Sequence, residues 1–120
     1  MITISKTFDF DASHWLPKVP KGHKCGRMHG HTYKAEIICA GEPDDRGMIV
    51  DYAEIEAAWS PIHDLIDHRT LNEVKGLENP TTEVVAPWML RLLLSNVNIG
   101  SKVVAVRIYE SSTTWCEARR

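Results

Sequence analysis

The sequence predicts an α+β fold, an antiparallel four-stranded sheet with two helices packed on one face. Three observations predict it. Two long stretches near the start alternate apolar and polar residues with the period of two that marks a half-buried strand. Two later stretches carry apolar residues at helical spacing and follow one another with no strand between them. A last alternating stretch comes after them. The order is therefore strand, strand, strand, helix, helix, strand, and hairpins without βαβ alternation argue against a parallel sheet.

The first strand places Ile2, Ile4, Phe8, Phe10, Ala12 and His14 on one face, with Thr3, Ser5, Thr7, Asp9, Asp11 and Ser13 on the other. Pro17, Pro20 and Gly22 then mark a loop. The second strand runs from about His29 to Ala40, and its odd positions His29, His31, Tyr33, Ala35, Ile37 and Cys39 share a face. Glu42 to Gly47 reads as a turn into a short third strand around Met48 to Val50. Asp51 is a helix N-cap with Glu54 at the N3 position, followed by Ile55, Trp59, Ile62 and Ile66 at helical spacing. Pro61 is expected to kink or divide this helix. Thr81 or Thr82 caps a second helix whose stripe is Val84, Val85, Trp88, Met89, Leu92 and Leu93, with Pro87 awkward in its first turns. The last strand runs from about Lys102 to Glu110, with Val104, Val106, Ile108 and Glu110 on one face.

A chain of 120 residues is expected to form a single domain, 1–120. It buries one modest core, with little room for a deep pocket and a full wall around it, so a site shared between subunits is expected. Apolar residues are 43% and charged residues 25% of the chain, an ordinary soluble composition. A formal net charge of −2 gives no general attraction to nucleic acid. Lys18, Lys21, Lys24 and Arg27, with His23 among them, form a local exception: a solvated loop or a contact for an anionic group on a small ligand. Three cysteines, Cys25, Cys39 and Cys116, do not make a disulfide framework. No apolar run approaches the roughly 20 residues that span a bilayer, and Met1-Ile2-Thr3-Ile4 lacks a signal-peptide layout. A cytoplasmic protein is expected.

The chemistry concentrates in Cys25-Gly26-Arg27-Met28-His29-Gly30-His31. Two histidines flanking a glycine at a strand start can reach one ion, and Gly30 lets the backbone approach another group closely. His14, at the end of the first strand, can complete a three-histidine set if the two strands pair. Three nitrogen ligands leave the fourth tetrahedral position that a catalytic zinc needs. A structural zinc would want a fourth protein ligand, for which Cys25 is the candidate. Alternatively Lys24, Arg27 and a metal favour the Cys25 thiolate, which can act as a base at carbon. Cys39 reads as a small strand hydrophobe. Asp67 can fix the tautomer of His68 and make it a proton shuttle, although a histidine at a helix end also simply meets the negative end of the dipole. His63 and His23 carry no assigned chemistry, though His23 can touch a phosphate. Glu110 is either an exposed strand-end acid or a carboxylate accepting two parallel bonds from a guanidine-like ring edge.

Taken in order, Ala12-Ser13-His14, Cys25-x-x-x-His29-Gly30-His31, Asp67-His68-x-x-Leu71-Asn72, Asn79-Pro80-Thr81-Thr82-Glu83 and Tyr109-Glu110-Ser111 resemble the 6-pyruvoyltetrahydropterin synthase family. The three-residue gap between Cys25 and His29 resembles its 6-carboxytetrahydropterin branch, which serves queuosine precursor synthesis. The resemblance spans nearly the whole chain. It implies the tunnelling fold, in which trimers close a barrel of antiparallel strands and two trimers stack into a homohexamer with sites between subunits. It implies a pterin substrate, 7,8-dihydroneopterin triphosphate, and a lyase that yields 6-carboxy-5,6,7,8-tetrahydropterin, acetaldehyde and triphosphate. A sister activity stops at 6-pyruvoyltetrahydropterin, and a zinc-stabilised binding module without turnover is the reading from another class. By resemblance His14, His29 and His31 are zinc ligands and Cys25 is the catalytic cysteine. Asp67 and His68 are a dyad delivered by a neighbouring subunit. Glu110 anchors the pterin and joins the catalytic relay, and Thr81, Thr82 and Glu83 line the pterin pocket. Ser111 stands where the family often has threonine.

Overall fold

The computed structural model describes residues 1–120. Strands β1 (Ile2–His14) and β2 (His29–Gly41) are 13 residues each and pair antiparallel along their whole length, from Ile2 opposite Gly41 to His14 opposite His29. Helices α1 (Tyr52–Ile66) and α2 (Thr82–Leu94) are separated by β3 (Arg69–Thr70), and β4 (Val103–Tyr109) and β5 (Trp115–Arg119) follow. The five strands lie in the order β3-β1-β2-β4-β5 in an open sheet. All pairings are antiparallel except the two-residue bridge of β3, which runs parallel to β1 at Ala12 and Ser13.

The expected alternation places the core. Phe10, Ala12 and His14 of β1 are buried, as are Tyr33, Ala35, Ile37 and Cys39 of β2. Lys6 shares their phase but reaches out to Glu56 of α1, 3.1 Å away. Phe10 stacks on Tyr33, with ring centroids 4.8 Å apart, and Phe8 on Trp59 at 5.0 Å. Each fully buried side chain of this size contributes roughly 1.5–3 kcal/mol relative to leaving it exposed. The opposite face of the sheet is polar. Ser5 donates to Glu36 Oε2 and Tyr109 to Glu36 Oε1, both at 2.7 Å. Arg107 and Arg119 both donate to Glu117, and these two guanidiniums hold its carboxyl below the ordinary carboxylate range.

Four expectations need correction. Met48 to Val50 form no strand. Asp44 folds this segment into a tight loop, accepting from the N–H of Arg46 and Met48, while Ile49 and Val50 are buried on the way into α1. The sheet has five strands, not four, because the short β3 and β5, which the sequence pattern does not reveal, pair onto its two borders. Pro61 does not divide α1, and Pro87 does not interrupt α2. In α1 the buried stripe Ile55, Ala58, Trp59, Ile62 and Ile66 continues across the proline, so packing outweighs the lost N–H bond. In β4 the apolar phase shifts. The ladder pairs Ile38 with Ala105 and Cys39 with Val103, a bulge that skips Val104, so Val103 is buried where Val104 was expected.

The helix caps follow the sequence in part. Asp51 accepts from the N–H of Ala53 at 2.8 Å, as a side-chain cap should. Thr81 is the N-cap of α2 by position, yet its side chain makes no capping bond.

Candidate functional site

The end of β1 and the start of β2 lie side by side, and there three imidazoles come together. The ring centroids of His14 and His29 are 4.6 Å apart, those of His29 and His31 5.0 Å, and those of His14 and His31 5.3 Å. The ligand nitrogens of the three all lie within 4.8 Å of one another, so this group can hold a metal ion.

Backbone carbonyls set the tautomers. His14 Nδ1 is 3.0 Å from the carbonyl of Pro80, and His29 Nδ1 is 2.6 Å from that of Arg27. A carbonyl only accepts, so each Nδ1 carries the proton and each Nε2 a lone pair. These two Nε2 atoms face each other at 3.0 Å. Burial, the largest influence, holds the His14 pKa below its ordinary value, and His29 pushes the same way against the Pro80 carbonyl. His31 Nε2 is buried with no hydrogen-bond partner, although Glu110 Oε1 lies 3.4 Å away. Opposed lone pairs and an orphaned buried nitrogen fit a cation with three imidazole ligands, and a backbone acceptor behind a ligand histidine is the usual support for one. The Tyr33 hydroxyl stands 3.3 Å from His14 Nδ1, and burial, with Glu110 adding to it, raises its pKa.

Cys25 lies in a short 3₁₀ turn, Lys24–Gly26, and is half-buried. Its carbonyl accepts from the N–H of Leu16 at 2.8 Å, which ties it to the chain two residues beyond His14. Its sulfur is not part of the three-histidine group, so the structure does not bring it in as a fourth ligand. Gly30 is less constrained than its place between the histidines implied. A Cβ there would meet only the Ala12 carbonyl oxygen at 3.5 Å, an ordinary contact.

Asp67 and His68 form a second, separate cluster with Asp11. His68 Nδ1 is 2.8 Å from Asp67 Oδ2, while Asp67 Oδ1 accepts from the N–H of Asp11 at 2.9 Å. His68 is the only non-glycine residue with positive φ, 56°. The Asp67 carboxylate raises the pKa of His68. The Asp11 N–H, and then His68, lower that of Asp67. The His68 side chain is exposed. Within one chain the dyad and the three histidines are two clusters, not one.

Thr81, Thr82 and Glu83 follow directly on Pro80, the residue that holds His14, and the Thr82 hydroxyl donates to Glu83 at 2.9 Å. Cys116 of β5 lies against this pair, and burial, helped by Glu83, raises its pKa. Cys39 is fully buried, and burial pushes its thiol up to about 11, as suits a strand hydrophobe. Lys18, Lys21, Lys24 and Arg27 are exposed on the loop between β1 and β2. Sequence reasoning missed Tyr33 as a neighbour of His14 and the carbonyls of Pro80 and Arg27. The period-two pattern did place Tyr33 on the histidine face; nothing in the sequence marks a carbonyl.

A sequence profile of the 6-pyruvoyl tetrahydropterin synthase family matches residues 3–120. The chain belongs to that family. Among relatives, the 6-carboxy-5,6,7,8-tetrahydropterin synthase of Bacillus subtilis is 31% identical, over 97% of this chain and 84% of its own. The protein of the same name from Synechocystis is 34% identical, over 78% and 75%. The 6-pyruvoyl tetrahydropterin synthase of Caenorhabditis elegans superposes with a TM-score of 0.91 at 28% identity, over 99% and 95%. The fold is thus that of the 6-pyruvoyl tetrahydropterin synthases, with the three-histidine group on two adjoining strand ends.

Proposed function

We propose that this chain is a zinc-dependent carbon–carbon lyase. It converts 7,8-dihydroneopterin triphosphate into 6-carboxy-5,6,7,8-tetrahydropterin, acetaldehyde and triphosphate, on the cytoplasmic route to the 7-deazapurine of queuosine. The observation that carries the reading is the convergence of the His14, His29 and His31 nitrogens, in a chain whose relatives include proteins named 6-carboxy-5,6,7,8-tetrahydropterin synthase.

His14, His29 and His31 would hold the zinc, which when bound supplies Lewis-acid polarisation of the substrate's side-chain oxygens. Cys25 takes a proton from a side-chain carbon as its thiolate. His68 moves a proton on the other side, with Asp67 fixing its ring. The exposure of His68 and its separation from the histidine group favour a dyad that works on the site of a neighbouring copy, as in a hexamer of two stacked trimers. Glu110 accepts the paired N–H groups of the pterin's amino-pyrimidine edge, and Thr81, Thr82 and Glu83 line the same pocket.

The test is a product assay on the purified protein with 7,8-dihydroneopterin triphosphate. Acetaldehyde with 6-carboxy-5,6,7,8-tetrahydropterin is the expected outcome. 6-Pyruvoyltetrahydropterin instead would favour the second reading, which the structural likeness to the nematode enzyme supports. A Cys25→Ala variant is expected to keep its metal and lose about 10²-fold or more in turnover, the scale of a missing acid–base group. A variant that loses metal and unfolds would make the cysteine structural and the protein a binding module.

A further inference from the structure

We propose that Asn72 is a positioning residue for the three-histidine centre: one side-chain amide locks together the two backbone segments that hold the His14 ring. The inference rests on the metal-site reading above.

The geometry is specific. β3 pairs with β1 only at Ala12 and Ser13, where Ser13 and Thr70 also join their hydroxyls at 2.9 Å. His14 is the next residue, and the backbone ladder gives it no partner on that side. Asn72 takes over one residue further on. Its Oδ1 accepts from the Trp15 N–H at 3.1 Å, and its Nδ2 donates to the Trp15 carbonyl at 2.8 Å. An amide that both accepts from and donates to one residue copies a strand bridge. Nδ2 also lies 3.5 Å from the carbonyl of Glu78, two residues before the Pro80 carbonyl that accepts from His14 Nδ1. The loop that carries Asn72 is pinned at both ends, since Leu71 and Leu77 are fully buried. Asn72 therefore ties the chain just after His14 to the segment behind its ring. It touches no metal donor, and what it fixes is the direction in which His14 Nε2 points.

The role needs an acceptor and a donor on one short side chain, which an amide supplies. Aspartate keeps the acceptor for the Trp15 N–H but turns an oxygen toward two carbonyls. Alanine gives up every bond. Loss of a group bonded directly to a ligand histidine typically costs about 10–100-fold in metal affinity, and Asn72, acting through the backbone around that group, belongs at the lower end of the range.

Metal-free full-length protein is titrated with Co²⁺, whose visible absorption reports both affinity and ligand geometry. Asn72→Asp and Asn72→Ala are expected to weaken Co²⁺ binding about 10-fold and to shift the visible bands, while circular dichroism stays that of the wild type. A folded variant with wild-type affinity and an unchanged spectrum would overturn the inference. Failure of both variants to fold even with saturating metal would also overturn it, since the role would then be general to the fold. A wild-type protein that takes up no Co²⁺ would instead sink the metal reading itself, and this inference with it.

Discussion

His68 occupies the left-handed backbone region, which costs a non-glycine side chain something of order 1 kcal/mol or more. Its N–H donates to the Asp11 carbonyl at 2.6 Å and its ring bonds Asp67, so neighbouring groups hold it there. This pair makes stability depend on pH in a definite direction. The folded-state pKa of His68 lies above 6.5, so its contribution is complete below 6.5 and is lost as pH rises through the raised value. The Asp67 pKa lies below 3.8, so its contribution is present above 3.8 and is lost as pH falls through the lowered value. Asp67→Asn is expected to lower the His68 pKa toward 6.5 in an NMR titration. Thermal melts of variant and wild type should differ most between these two limits, differ less as pH rises through the raised His68 value, and converge as pH falls through the lowered Asp67 value. A His68 titration unmoved by the substitution would show that the ion pair does not form in solution. The donor side of the three-histidine group was legible in the sequence, because period two alone places His29 and His31 on one face and His14 on the apolar face of its own strand. The acceptor side was not. The Pro80 carbonyl lies 66 residues from His14, and carbonyls are the same in every residue.

At the scale of elements, α1 is the informative one. Asp51, Glu54 and the Ile55-to-Ile66 stripe announced the helix, and Pro61 argued for breaking it; the stripe prevailed. Pro61 is exposed on the outer side of α1 and has no N–H for the helix ladder. Pro61→Ala is therefore expected to raise stability by about 1–2 kcal/mol, because the helix gain exceeds the freedom returned to the unfolded chain. Urea unfolding measures this, and an unchanged midpoint would mean that the helix is already fully relaxed around the proline. β3 and β5 were invisible for a different reason. A two-residue bridge has no pattern, and β5 is a five-residue edge strand that owes its conformation to pairing with β4. The bulge at Val104 is likewise a property of two strands together and cannot be read from one.

The whole molecule is a slab, 56 × 25 × 20 Å, with a radius of gyration of 15.2 Å. A compact chain of this length would have about 14 Å. The elongation follows from two 13-residue strands with helices on one face only. Both sheet borders are open: β5 on one side, and on the other the part of β1 from Ile2 to Phe10 that β3 leaves uncovered. Long uncovered borders invite pairing with another copy. Light scattering is expected to give a mass near six times the 13.6 kDa chain, and a species of 13.6 kDa at micromolar concentration would remove the neighbour that the Asp67–His68 proposal needs. The Glu36 and Glu117 clusters add a last consequence. A wall finished in saturated ion pairs and hydroxyls stays hydrated, so copies closing around it would enclose a column of solvent instead of an oily seam.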